Sequence, residues 1–131
     1  MALVACLAAG CGGSSGGSSS TAAYSLTQTE KCLQASGLKA FPVKNSVVSG
    51  SEGNLQVEFT YGTEDIFMAF GKDASEADSI RETAIAATER HQHLDRQTIL
   101  DGVEVAKNVF YYSNAGPLTV ITKRRIQACL R

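Results

Sequence analysis

The segment His91-Gln92-His93-Leu94-Asp95 holds the one local cluster of residue types suited to a metal ion. Neutral imidazoles and a carboxylate are the ligands zinc takes. A spacing of two puts both histidines on one side of a strand, whereas a helix brings together residues three or four apart. The preceding pattern is helical and ends here, so the reading that fits best is a polar helix terminus. There Arg90 and His91 offset the carbonyl end of the helix dipole. His91, His93 and Asp95, with Glu89 as a further carboxylate, are therefore secondary metal candidates, and no cofactor is expected. A Cys32 thiol with His91 as its base is the conceivable nucleophilic pair. No Gly-x-Ser-x-Gly turn, phosphate-binding glycine loop or recognisable pair of catalytic carboxylates occurs, so no catalytic residue is expected.

Two other groups have chemical potential. Lys123, Arg124, Arg125 and Arg131 are basic and close in sequence. Three adjacent residues point in different directions around a helix, so they read as a solvated helix face rather than one anionic-surface patch. The net charge of −1 gives no field that would draw the chain to nucleic acid. Phe110, Tyr111 and Tyr112, together with Tyr61, are the aromatic candidates for a binding surface. Strand alternation sets Tyr111 against Phe110 and Tyr112 on the opposite side, so at least one tyrosine is expected to stay partly exposed.

These residues depend on elements that the pattern predicts. Ser25 to Ser36 reads as a helix, opened by Ser/Thr-x-x-Gln/Glu capping boxes and closed by Gly37, with Leu38 folding back on Leu33. Leu38 to Lys44 reads as a strand on a sheet edge, because Pro42 cannot donate to a ladder. Leu55, Val57, Phe59 and Tyr61 alternate with polar residues and read as a half-buried strand. Ile66 to Phe70 is apolar on both sides, as in a strand covered twice. Asp73 or Ser75 caps a helix reaching about His91, whose alanines allow close packing on a sheet. Strands are expected near 99–106 and 109–113, turning at Asp101-Gly102 or at Lys107-Asn108. Gly116-Pro117 is expected to open a last helix with the stripe Leu118, Ile121, Thr122, Ile126 and Cys129. The sum is an α+β domain with element order α-β-β-β-α-β-β-α. It has a small antiparallel sheet of four to five strands, and helices mainly on one face.

The 131 residues, 44% hydrophobic and 19% charged, suffice for one globular domain. Residues 1–23 carry no charge, and this break sets the domain at 24–131. Leu7-Ala8-Ala9-Gly10-Cys11, behind the apolar run Ala2 to Ala9, resembles the lipobox of bacterial lipoproteins. The resemblance implies a signal peptide over 1–10, cleavage before Cys11 and a diacylglyceryl group on its thiol. No Lys or Arg precedes the apolar core, so an in-frame start upstream is expected. Residues 11–23 then form a lipidated cysteine and a Gly/Ser tether. Twelve residues of this kind reach on the order of 20 Å.

Given that resemblance, Cys6 leaves with the signal and Cys11 carries lipid. Cys32 and Cys129 remain, and an oxidising exterior favours a disulfide between them. The expected protein is a lipoprotein anchored to the cell membrane on its extracytoplasmic side. Its domain would act as a binding or interaction module for an envelope protein or a small ligand, without nucleic acid. A small metal-assisted envelope hydrolase and a purely structural envelope protein are the alternatives.

Overall fold

The structure, a computed structural model, describes residues 22–44, 48–59 and 64–131. The proposed signal, Cys11, most of the tether and Tyr61 lie outside the described residues.

Helix α1 spans Leu26–Ala35. Ser25 caps it by accepting the Gln28 amide at 3.4 Å. Gly37, at φ +86°, ends it. The Leu38 amide donates to the Leu33 carbonyl and the Gly37 amide to that of Gln34, the full Schellman arrangement. Strands β1 (Lys39–Pro42), β2 (Gly53–Glu58) and β3 (Asp65–Phe70) follow as an antiparallel meander. Pro42 sits on the outer strand, as its missing N–H requires.

Helix α2 (Ala74–Gln92) is capped by Asp73, which accepts the Glu76 amide at 2.9 Å. A short helix α3 (Arg96–Asp101) leads to β4 (Val103–Ala106), β5 (Val109–Ser113) and α4 (Val120–Cys129). Among the described residues the sheet has five strands in the order β1-β2-β3-β5-β4, all paired antiparallel. The α+β class and the element order are as expected, with α3 added.

Three expectations change. Residues 99–101 are helical rather than strand, because the Asp95 side chain accepts the Thr98 amide and starts a turn of helix there. Asp101-Gly102 ends that helix, and the hairpin turns at Lys107-Asn108. The last helix starts at Thr119, which accepts the Thr122 amide, and not at Pro117. Ile121 is 73% exposed and lies off the buried stripe of Thr122, Ile126 and Cys129.

The third change is the layering: helices cover both faces of the sheet, not mainly one. On one face α1 and α4 meet Leu55, Val57, Ile66, Met68, Phe70, Val109 and Tyr111 in the larger core. On the other, α2 packs on Ala69 and Phe110 through Ile80 and Ala84. The chain leaves β3 and returns at the edge strand β4, beyond β5. Its connecting helix must therefore cross the face of β5. The apolar residues on both sides of β3 give each layer a surface to bury.

Candidate functional site

The second layer is where the molecule leaves room. In its C-terminal half α2 presents Ala84, Ala87 and Thr88 to the sheet, side chains too short to reach it everywhere. A cavity of about 250 Å³ results, closed by Ile99 of α3, Val103 of β4, Phe110 and Tyr112 of β5, and Val48. His91 and Gln92 stand at its end on α2. A second lobe of about 410 Å³ shares Thr88, Gln92, Ile99, Val103 and Tyr112 with the first, so the two are one cleft. It continues past Phe67 to Leu94, Thr98, Asn114 and Pro117. Exposed residues edge both lobes: Leu94, 42% exposed, and Thr98 on the second, and His91 and Gln92 on the first.

The floor is aromatic. The Phe67 and Tyr112 rings stack with centroids 5.5 Å apart, and Phe110 tilts against Tyr112 at 5.7 Å. Burial pushes the Tyr112 hydroxyl above its ordinary titration range, so it is a neutral donor at physiological pH. No Asp, Glu, Lys or Arg lines either lobe among the described residues. The Gln92 side-chain amide makes no hydrogen bond to the described residues, and it lines both lobes.

The second lobe and the start of the domain lie at opposite ends of the sheet. Tyr24 is clasped to Asn108, in the β4–β5 turn. The Asn108 side chain accepts from the Tyr24 amide at 2.7 Å and donates to the Tyr24 carbonyl at 3.1 Å and the Gly71 carbonyl at 2.7 Å. The Lys107 ammonium covers the Tyr24 ring at 4.4 Å. Ser25 also bonds to the Arg131 carbonyl, so the two ends of the domain are adjacent. Gly71 follows the last residue of β3, whereas the second lobe is lined by Ser113, which pairs with Ile66 near the start of β3, and by Asn114, Gly116 and Pro117 after it. The six residues of β3 separate these ends by about 20 Å.

The sequence candidates are distributed as follows. His91 lines the cleft. His93 is the left-handed cap of α2, at φ +52°. The Asp95 carboxylate is occupied by α3, accepting the Thr98 amide at 3.0 Å and its hydroxyl at 2.6 Å. These bonds hold its carboxyl below the usual range. Among the described residues no group of three His, Cys, Asp or Glu is placed to share a metal ion. The Cys32 and Cys129 sulfurs are bonded at 2.05 Å with Cα atoms 5.3 Å apart, which joins α1 to α4 and removes Cys32 as a nucleophile. Lys123 pairs with Glu104, while Arg125 donates to the Ser36 carbonyl and lies over the Phe59 ring, so the basic residues do diverge. Tyr111 is buried in the larger core and Tyr112 faces the cleft, as alternation required.

Sequence reasoning missed the cleft and the Asn108 clasp. The alanines of α2 signalled close packing, and nothing local distinguishes an alanine in contact from one facing a void. Asn108 read as a turn residue; its partners are 84 and 37 positions away. Comparison with known protein families, characterised proteins and solved structures finds no match to this chain.

Proposed function

We propose that the chain is a lipid-anchored lipoprotein of the bacterial cell envelope, held on the extracytoplasmic side of the membrane through Cys11. Its domain is a binding module that takes an envelope protein or a small ligand in the cleft between α2 and the sheet. The observation carrying the binding reading is the cleft itself: concave, mainly apolar, floored by aromatic rings and edged by a few neutral polar groups. Those are the features of ligand sites in general. The anchoring reading rests on the lipobox-like string Leu7 to Cys11 and the Gly/Ser segment behind it. Two acyl chains hold a protein stably on a bilayer. Among the described residues no helix is long and apolar enough to cross a membrane.

Fractionation tests the anchor. Cys11→Ser is expected to move the protein from the membrane fraction to the soluble or secreted one. Unchanged recovery with membranes overturns lipid anchoring.

A further inference from the structure

We infer that the cleft selects an uncharged small molecule with an apolar, ring-sized or chain-like body. This rests on the reading of the cleft as a binding site and adds the class of ligand. The lining carries the argument. In a chain that is 19% charged, both lobes are free of Asp, Glu, Lys and Arg among the described residues. A ligand charge entering here gives up its water and meets no carboxylate, ammonium or guanidinium, a penalty that dispersion against the walls does not return. His91 is the one titratable side chain besides Tyr112 on the first lobe. It is exposed, in the last turn of α2.

The walls also set the shape. The stacked rings of Phe67 and Tyr112, continued by Phe110, offer a flat apolar floor. The roof of Ala84, Ala87 and Ile99 has no hydrogen-bonding side chain. A first lobe of about 250 Å³ admits a body of one or two fused rings, or a short alkyl chain, but not a folded peptide. Neutral polar groups edge the second lobe: the Gln92 side-chain amide can donate to or accept from a hydroxyl, amide or carbonyl of the ligand, while Thr98, whose hydroxyl proton goes to Asp95, can only accept. The ligand is therefore amphipathic without being ionic. Its apolar body lies along the aromatic floor and its polar end meets Gln92.

Two fluorescent probes of nearly one shape decide the matter. N-phenyl-1-naphthylamine is neutral; 8-anilinonaphthalene-1-sulfonate adds a sulfonate to the same ring frame. They are titrated into the full chain carrying Cys11→Ser, so that no acyl group competes. The neutral probe is expected to bind saturably at one site, and the sulfonate at least about tenfold more weakly, the factor that corresponds to about 1.4 kcal/mol. Ala87→Phe fills the first lobe and is expected to abolish binding of the neutral probe. Thr88→Arg places a cation on both lobes and is expected to reverse the preference. Thermal melting checks that each variant is folded, and the comparison in the unsubstituted cleft stands if either is not. Equal binding of both probes overturns the ligand class and leaves a binding cleft. No saturable binding of either, or neutral-probe binding that a folded Ala87→Phe chain retains, overturns the cleft as a site altogether.

Discussion

At Asn108 a single side chain does three jobs. It is 1% exposed, and its amide satisfies two backbone groups of Tyr24 and the carbonyl of Gly71. Replacing it with Ala leaves those groups unpaired, at about 1–3 kcal/mol for each that water cannot reach. Asn108→Ala is expected to destabilise the domain by about 2–3 kcal/mol in a denaturant titration. Asn108→Asp keeps the acceptor, loses both donors, and is expected to fall nearly as far. Tyr111 has a pH signature. Burial, with the nearby Glu104 charge adding to it, pushes its hydroxyl from the ordinary 10.0 up to about 12. The fold favours the neutral phenol, so this stability is complete below pH 10 and is lost as pH rises from 10 through 12. A Tyr111→Phe chain is expected to lose stability less steeply over that window. An unchanged slope in alkaline melting curves would count against it.

Element boundaries in this protein are set by short-range chemistry that tolerates little substitution. Gly37 holds φ +86° at the end of α1, and an added Cβ would meet no atom within 4 Å. Gly37→Ala therefore costs backbone strain alone, about 1–2 kcal/mol. Gly50 is the opposite case. A Cβ there would lie 2.1 Å from the Phe70 carbonyl oxygen, so the loop must move away from β3. Equilibrium unfolding is expected to rank Gly50→Ala as the more damaging of the two. The loop is also latched to α2: the Glu76 carboxylate accepts the Ser51 amide and hydroxyl and the Lys72 amide. Those bonds hold its carboxyl below the usual glutamate range. The latch is complete at neutral pH and is lost in acid, as pH falls through that lowered value.

Across the whole molecule, the Cys32–Cys129 bridge spans 97 positions and closes nearly the entire domain. Cross-linking a loop of that size removes chain entropy from the unfolded state worth about 4–5 kcal/mol in the loop-closure account. That is a large share of the roughly 5–15 kcal/mol typical of a folded domain. The double variant Cys32→Ser/Cys129→Ser is expected to melt far below the oxidised protein and to respond to reductant no further. A melting point that reductant leaves unchanged in the native chain would overturn the bridge as a source of stability. The bond joins the later part of α1 to the last residue of α4, and Ser25, at the start of α1, bonds to Arg131. Clamping α1 to α4 holds the first layer together, while the second layer, under α2, keeps its cleft.

The sequence by itself determined whatever depends on neighbours along the chain. Ser25, Gly37 and Leu38 bound α1, Asp73 opens α2, and Pro42 confines β1 to an edge. The alternation through Phe110, Tyr111 and Tyr112 sends one tyrosine into the core and one to the cleft. Cysteine arithmetic also led to the disulfide: with Cys6 and Cys11 assigned by the lipobox resemblance, Cys32 and Cys129 are the pair that remains. Local reading failed where two signals competed over a few residues. Asp95 with Thr98 caps a short helix, yet Ile99, Val103 and Val105 around it have strand character. The layering was decided only in three dimensions, because it follows from β5 lying between β3 and β4, a pairing between distant segments. The cleft follows in turn. An alanine becomes a wall only when the strand opposite it stands too far away to touch, and that distance is a property of the assembled layers.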